Sequence, residues 1–482
     1  MTRETWSREK VGRFDPRRAV VIVIVVCLTC PVASAAVLEV GDHGTYSTIQ
    51  DAVDAALGAG STEIRVERGT YAQNFYVGSN FVSDDLEITG GWDSTFTSKS
   101  PDASLTVIDG DGLSVSVVAI YAGGGSVLVD GFTVTNGVGS AGGGFRLQTT
   151  GDAEVTISNN RIIGNTARST LPSGGGVFLW HNTGTGRLLL LDNLISGNTS
   201  ENTGSASAGG GGINLTALDG SSVIVTGNRI IDNTCVAPVN TSFGCGVSIY
   251  HDSSGASNFS DNLVKGNRTA TAPGTDVQGA GGYLHIGPNG HSLTARRNLW
   301  IDNRDVGSQE GYHVKLITTG SGILHASDSV IAGGPEKGVE AYSYDTSTLR
   351  ITNTTVFDHA DTGIFFNAST VDSSLYNTIV YGSSTPTDFN GTTVDAGNNL
   401  LGVDPLFASP STWDCRLKTG SPALDAGDNS PPGGLGTTDL DGNPRVLNGV
   451  VDIGAYEGVA TLFEDGFESG NTSEWSTTVG GF

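Results

Sequence analysis

The sequence predicts an all-β fold, a parallel solenoid in which one chain winds through stacked coils. The first observation is a repeated phrase, Asn-x-x-x-(Gly or Asp)-Asn, whose first Asn recurs at intervals of 33, 35, 34 and 36 residues. A period in this range marks one supersecondary unit stacked on copies of itself. The second is a Gly-rich stretch before a short alternating strand, as in residues 174–180 and 209–215. Helical periodicity is almost absent from the repeats. The first Asn of each phrase is Asn160, Asn193, Asn228, Asn262 and Asn298.

Residues 47–57 form the clearest predicted helix, because their apolar positions fall on one face. Ser47 and Gln50 are spaced as a capping box. A solenoid leaves the end of its core open, so an amphipathic helix at this point is expected to be the N-terminal cap. The apolar face consists of Ile49, Ala52, Val53 and Ala56.

The repeated Asn residues are interpreted as scaffold. Each amide is expected to stack on the Asn of the next coil and to hydrogen-bond the backbone of the turn, as in other polar ladders. A ligand-binding role for them is the less favoured alternative.

The N-terminal coils carry a family resemblance. Residues 46–56 and 64–71, followed by 86–92 and 106–110, resemble the opening of pectin-lyase-like β-helix proteins. Pectate lyases and pectin esterases belong to that superfamily. The resemblance covers residues 40 to about 400 and implies a single-stranded right-handed parallel β-helix with an N-terminal capping helix.

The C-terminal part carries a second resemblance, in residues 404–407, 420–427, 438–445 and 451–457. These stretches closely resemble the choice-of-anchor Q segment, which terminates many β-helix proteins of the bacterial cell surface and secretome. The resemblance implies a set of boundaries along the chain. They are a cap with the first coils at 36–110, the β-helix at 111–400, C-terminal coils and cap at 401–458, and a tail at 459–482.

The chain is predicted to be exported. Residues 1–35 combine a basic region, an apolar core and a small-residue cleavage site, which is typical of a signal peptide. Its removal leaves 19 Lys and Arg against 47 Asp and Glu, a net charge of −28. Such a surface repels nucleic acid and anionic membranes. We expect a secreted or bacterial cell-surface protein, monomeric, without a membrane span in the mature chain, whose partner is an extracellular polysaccharide.

Two of the three cysteines that follow the signal peptide bracket one loop. Cys235 and Cys245 are predicted to close it with a disulfide, which is compatible with an oxidising compartment. Cys415 is left without a partner.

The register of the strands predicts a functional surface. Successive side chains of a strand point to opposite faces, so aligning the strands on their Gly residues separates inward from outward positions. The outward positions form a strip over eight coils, roughly 34 Å long at ~4.8 Å per coil. Its aromatic rings suit stacking on sugars, whereas the alternative is a stack that stabilises the sheet or contacts covering loops. The predicted carbohydrate-binding residues are Arg146, Phe178, Trp180, Tyr250, Tyr283, Tyr342 and Phe365.

A catalytic role for the strip is the runner-up interpretation. Elimination from a uronic-acid polymer needs a base and a group that neutralises the substrate carboxylate. If the protein is a polysaccharide lyase, His285, His313 and Lys315 are the predicted catalytic residues. The paired-Asp and Gly-His-Gly motifs of polygalacturonases and the carboxylate cluster of pectate lyases are not visible in the sequence. A non-catalytic polysaccharide-binding protein is therefore favoured, and a structural solenoid or adhesin stays a second alternative.

No cofactor is expected from the sequence, with one open question. Residues 439–444, Asp-Leu-Asp-Gly-Asn-Pro, have the oxygen density of a calcium loop but lack the downstream bidentate Glu. A plain Asp/Gly turn is the favoured interpretation, and bound calcium is the alternative.

Overall fold

The structure, a computed structural model, describes residues 36–271, 277–289, 291–306, 311–334, 337–369, 372–391 and 394–458. The predicted signal peptide and tail lie outside these residues. The strands pair in parallel between successive coils, which confirms the predicted parallel β-helix. Each coil adds one strand to sheet A, then one to sheet B, then one to sheet C.

Within the described residues, sheet A has thirteen strands. They are Ala36–Val40, Ser61–Glu67, Asp85–Trp92, Ser126–Asp130, Glu154–Ser158, Arg187–Leu191, Ser222–Thr226, Ser257–Ser260, Ser292–Arg296, Ile323–Ser327, Thr348–Thr352, Ser374–Tyr376 and Asp395–Gly397.

The part of the chain that the structure describes contributes twelve short strands to sheet B. They are Gly69–Ala72, Thr106–Asp109, Thr133–Thr135, Arg161–Ile163, Leu194–Ser196, Arg229–Ile231, Leu263–Lys265, Leu299–Ile301, Val330–Ala332, Thr355–Phe357, Ile379–Tyr381 and Leu400–Leu401.

Sheet C has eleven strands among the described ranges and carries the predicted strip on its outward face. They are Phe75–Val82, Val118–Ala122, Phe145–Thr149, Val177–His181, Ile213–Asp219, Val247–Ser253, Gly282–Ile286, Tyr312–Thr318, Lys337–Ser343, Thr362–Ala368 and Thr385–Gly391.

Two small sheets make the middle coils wider than the last ones. The extra residues between sheets B and C form sheets D and E, which run beside one edge of sheet C. Phe243 of sheet E contacts Tyr283 of sheet C at 5.5 Å between ring centroids, so these sheets form a side wall for the strip. Sheet D contains Val138–Gly139, Thr166–Ser169, Thr199–Asn202, Thr234–Ala237 and Arg268–Thr271, and sheet E contains Ala208–Gly209, Ser242–Phe243 and Val277–Gln278.

The N-terminal helix spans Ile49–Ala56 and buries the predicted apolar face against the first strands. The predicted capping box is wrong, because Thr48 caps the helix and accepts a hydrogen bond from the Asp51 amide. Gln50 instead reaches the next strand, where its Oε1 accepts from the Tyr76 amide at 2.8 Å and its Nε2 donates to the Tyr76 carbonyl. No helix of the described residues is long and apolar enough to cross a membrane.

The Asn residues form the predicted ladders. Asn193 Oδ1 accepts from both the amide nitrogen and the side chain of Asn160, at 3.0 and 3.2 Å, and the same pattern repeats along the row. A second row begins at Asn165, which donates in the same way to Asn198. The residue before each Asn adopts left-handed backbone torsions, for example φ 56° at Asp192. This requirement explains the Gly, Asp or Asn that precedes most ladder residues.

The segment 407–458, here called the lateral cover, lies along the side of the later coils. The predicted cap at the end of the solenoid is therefore wrong in its placement. Arg296 donates to the Thr438 carbonyl at 2.7 Å, and Asn377 donates to the Asp428 carbonyl at 2.9 Å. Apolar side chains of the cover pack on the outward face of sheet B. That face is itself apolar in these coils and includes Phe357.

The predicted disulfide is absent, since Cys235 and Cys245 are free thiols. Both are fully buried in a small cluster with Ala208 and Ala237, where they pack as small apolar side chains. Burial raises the pKa of Cys245, and a hydrogen bond with Cys235 adds to that rise. The third cysteine, Cys415, is also free and buried.

Candidate functional site

The outward face of sheet C forms a strip of two columns of side chains. The strand register places each predicted residue beside its counterpart on the next coil, so the alignment on Gly was correct for seven of the eight strands. The first column reads Arg146, Phe178, Asn214, Ser248, Tyr283, Lys315, Glu340 and Phe365, and the second reads Gln148, Trp180, Thr216, Tyr250, His285, Ile317, Tyr342 and Asn367.

Trp180 is the most exposed of the predicted strip residues, with 40% of its surface accessible. Its neighbours in the column are Gln148 and Thr216, which are shorter. The indole therefore stands above the floor of the strip. Phe178 lies beside it in the first column and is half-buried.

Three rings form the central cluster, Tyr250, Tyr283 and His285. The ring of His285 packs edge-on against both tyrosines, with centroids at 5.1 Å from Tyr250 and 6.1 Å from Tyr283. All three are half-buried rather than covered. They present ring edges and polar atoms on two adjacent coils.

The central cluster carries no charge at neutral pH. Burial lowers the pKa of His285, although the charge of Asp252 opposes that effect. Burial raises the pKa of Tyr283 and of Tyr250, and the carboxylates of Glu340 and Asp252 respectively add to the rise. The imidazole is therefore neutral and both phenols are protonated, so these groups donate and accept hydrogen bonds without acting as ions.

A second group of rings, the distal cluster, lies on later coils and contains Tyr342, Tyr344 and Phe365. Tyr342 stacks on Tyr344 with centroids 5.5 Å apart and contacts Phe365 at 5.6 Å. Lys315 Nζ is 5.2 Å from the centre of the Tyr342 ring and 2.6 Å from a carboxylate oxygen of Glu340. Because the two charges compensate each other and both side chains are nearly buried, the pair adds no free charge to the strip.

His313 is not on the strip, and its predicted catalytic position is wrong. It is fully buried, and its Nε2 lies 2.6 Å from Asn303 Nδ2, at the end of the second Asn ladder. The preceding coils have a Gly at the equivalent position, for example Gly281, where an added Cβ would contact the side-chain amide of Asn303. His313 takes that place in its own coil, so the alignment on Gly311 put it on the wrong face. Burial and the neighbouring His359 lower the pKa of His313, which keeps it a neutral acceptor.

The predicted lyase residues are therefore not brought together. His285 lies on the strip, His313 lies inside, and Lys315 is paired with Glu340. A base for elimination has to reach the substrate, and a cation that neutralises the substrate has to be free. This arrangement meets neither requirement at His313 and Lys315.

Sequence reasoning missed several aromatic residues around the strip. Tyr121 occupies the second column one coil before Gln148, but no Gly pair precedes its strand to reveal the register. Tyr344 lies just beyond the end of its strand, and Phe243 lies on the side wall. These positions depend on loops and on sheet E, which the repeat does not encode.

The proposed calcium turn has its carboxylate engaged within the protein. Asp439 is buried and accepts hydrogen bonds from the backbone amides of Asn443 and Glu457, at 2.7 and 2.9 Å. This is the arrangement of an Asp/Gly turn. Among the described residues, no group of three or more His, Cys, Asp or Glu side chains is placed to hold a metal ion.

Comparison with known proteins agrees with this architecture. A family model described as a right-handed β-helix region matches residues 100–286. The fold is the right-handed parallel β-helix. Solved structures with a similar chain path include pectate lyase Pel9A, at 12% identity over 88% of this chain and 98% of that chain, with a TM-score of 0.37. Another is the deglycosylated pectin methylesterase from Aspergillus niger, at 15% identity over 78% of this chain and 93% of that chain, with a TM-score of 0.26. No curated protein matches the chain.

Proposed function

We propose that this protein binds polysaccharide along the strip of sheet C without cleaving it. The observation that carries the proposal is the partly exposed row of rings on the outward face, with Trp180 at one end, the central cluster in the middle and the distal cluster beyond. Contiguous apolar surface of this kind marks a contact site. The predicted export signal agrees with a polymer met outside the cell.

The shape of the surface suits an extended chain. Eight consecutive strands at ~4.8 Å spacing make the strip about 34 Å long. Sheet E raises a wall beside its middle, where Phe243 contacts Tyr283. A long, shallow surface with one wall favours a linear polymer over a small compact ligand.

The chemistry of the surface favours the uncharged faces of sugars. The central cluster offers neutral donors and acceptors together with ring faces and edges, and the Lys315 charge is compensated by Glu340. Stacking and hydrogen bonding thus dominate recognition at the middle of the strip. The position of His313 inside the solenoid and the ion pair of Lys315 argue against elimination chemistry.

Affinity electrophoresis of the exported chain through gels that contain xylan, glucomannan, polygalacturonate or alginate tests the proposal. We expect retardation by at least one polymer and no rise in the ultraviolet absorbance of unsaturated products. Replacing both Trp180 and Tyr283 by Ala should weaken the retardation by about ten-fold or more, because each ring contributes on the order of 1 kcal/mol.

A matched control lies on another face of the same solenoid. Tyr376 is half-buried on the outward face of sheet A, so Tyr376→Ala removes a comparable ring away from the strip. Its retardation should equal that of the unmodified chain. An equal loss in Tyr376→Ala, or product formation with any polymer, would contradict a non-catalytic site on sheet C.

A further inference from the structure

A cavity of about 460 Å³ lies where the strip meets the N-terminal cap. Its floor is the outward face of the first three strands of sheet C, with Tyr76, Tyr121 and Arg146 among its lining residues. Gln50 of the helix closes its end by bonding both backbone polar groups of Tyr76. We call this cavity the Arg146 pocket.

Arg146 sits in the pocket without a counter-ion. Among the described residues it makes no ion pair, and its Nε is buried with no hydrogen-bond partner. None of the residues that line the pocket is acidic. Most of the described arginines, Arg168 and Arg187 among them, have carboxylate partners, whereas Arg146 belongs to a minority without one, and it is the member of that minority that lines the cavity.

A partly buried guanidinium without a partner favours an anion, because burial weakens its hydration and strengthens the attraction. The planar group binds carboxylate or sulfate oxygens with two parallel hydrogen bonds. Lys315, farther along the strip, differs in this respect because Glu340 already neutralises it.

The remaining walls suit a sugar ring that carries such a group. Tyr76 has 47% of its surface exposed, and Tyr121 is held edge-on by Phe81 at 6.3 Å between centroids. Ser116 and Ser140 add hydroxyl groups beside these rings. Ring faces, hydroxyl groups and one free cation are therefore collected within a single cavity.

We infer that the Arg146 pocket binds an anionic substituent, a carboxylate or a sulfate, on the terminal sugar of the chain that lies along the strip. The terminal position follows from the helix, since Gln50 and Tyr76 close the strip at this end. The inference rests on the proposed function and specifies the ligand. It is a sugar chain that is uncharged where it contacts the rings and carries an anionic group at one end.

Calorimetric titration of the exported chain with matched oligosaccharides tests the inference. The carboxylate arm compares an otherwise neutral hexasaccharide that carries one uronic acid, at its end, with the methyl ester of that acid, and the sulfate arm compares a hexasaccharide that carries one sulfate, on its terminal sugar, with the unsulfated form. We expect the charged member of one pair to bind about ten-fold more tightly, as one charge-assisted interaction predicts. The arm that shows the preference identifies the anion.

Three variants separate the pocket from the strip. Arg146→Gln should remove the preference for the charged member of the pair, and Arg146→Lys should keep part of that preference because the charge remains. Arg187→Gln, an exposed arginine of sheet A, should leave the preference unchanged.

The two proposals fail in different ways. An unchanged preference in Arg146→Gln, or no preference in either arm with the unmodified chain, overturns the inference and leaves binding along the strip in place. Loss of all oligosaccharide binding in both arms, uncharged forms included, overturns the proposed function and the inference together.

Discussion

Sheets B and C of the same late coils have apolar outward faces with opposite fates. On sheet B, Val330 and Phe357 are buried under the lateral cover, with 0% and 7% of their surfaces exposed. On sheet C, Tyr342 and Phe365 remain half-exposed. An apolar outward face of a solenoid is costly in water unless something packs on it. The chain covers one such face itself and leaves the other available to a ligand.

The ion pairs of the two faces also differ in what they connect. The lateral cover buries Arg445 against Asp328 and Glu457, at 3.2 and 3.4 Å, with the three side chains almost inaccessible. Burial raises the pKa of Glu457 to about 8, and the charge of Arg445 opposes that rise. The cover is thus joined to the coils through a buried ionic group, whereas the nearly buried pair of Lys315 and Glu340 joins two neighbouring strands of sheet C.

The largest expected effect comes from opening the covered face. Arg445→Ala removes the buried guanidinium from Glu457 and from Asp328, although Asp328 keeps its ion pair with Arg296 at 2.8 Å, so we expect a cost of about 3–4 kcal/mol, toward the lower end for a broken buried pair. We expect the lateral cover to lose protection from hydrogen exchange while the coils before residue 290 keep theirs. Exchange measured by mass spectrometry resolves the two regions.

Arg416→Ala is the control for that variant. Arg416 belongs to the same segment and also contacts two carboxylates, but its side chain is 51% exposed. Exposed ion pairs contribute less than about 1 kcal/mol, so the cover should stay protected. Equal deprotection in both variants would mean that the buried charge does not hold the cover in place.

A second prediction compares one residue type on the two faces of one coil. Phe357 ends a strand of sheet B, and Phe365 lies on the next strand of the chain, in sheet C. Phe357→Ala should lower the free energy of unfolding by about 3 kcal/mol, because the ring is buried under the cover. Phe365→Ala should cost about 1 kcal/mol or less and weaken polysaccharide retardation instead.

Chemical denaturation and affinity electrophoresis of both variants measure this pair. The comparison between the faces predicts opposite results for the two variants. Phe357→Ala should lose stability and keep its polysaccharide binding, whereas Phe365→Ala should lose binding and keep most of its stability. Two variants that lose stability equally would indicate that the rings on sheet C serve the fold.

The coils were predictable because every repeat makes the same contacts with its copies, and those contacts impose a period on the sequence. Asn193 is an example, since it bonds the equivalent residues Asn160 and Asn228 on either side. The helix was predictable for a similar reason, since its buried face follows its own period.

Contacts that do not repeat left no such signal. The lateral cover docks through pairs such as Arg296 and Thr438, which are 142 residues apart. His313 replaces a Gly at one level of one coil, and this exception misled the alignment. The Arg146 pocket depends on Gln50, which the sequence assigned to a capping box and which the fold turns toward Tyr76.

The smallest predicted effect is a pH dependence of stability that distinguishes the scaffold from the strip above it. His251 follows Tyr250 on its strand but points inward, where it is fully buried and its Nε2 donates to the Gly255 carbonyl at 3.0 Å. Burial lowers the pKa of His251 to about 4 from an ordinary value of 6.5.

Between these two values the unfolded chain binds a proton that the folded chain does not. The stability contributed by His251 is therefore complete above about pH 6.5 and is lost as the pH falls toward 4. We expect a loss of about 2 kcal/mol between pH 7 and pH 5 from this residue. Urea denaturation at a series of pH values measures it, and His251→Gln, which keeps a hydrogen-bonding side chain but cannot titrate, should flatten the profile by that amount. Binding to a neutral polysaccharide should not follow the same curve, because both tyrosines of the central cluster stay protonated over this range and the ligand carries no charge that the strip could attract or repel. If binding fell by the same factor between pH 7 and pH 5 in the unmodified chain and in His251→Gln, the strip would itself titrate, and the distinction between its surface and the titrating interior would fail.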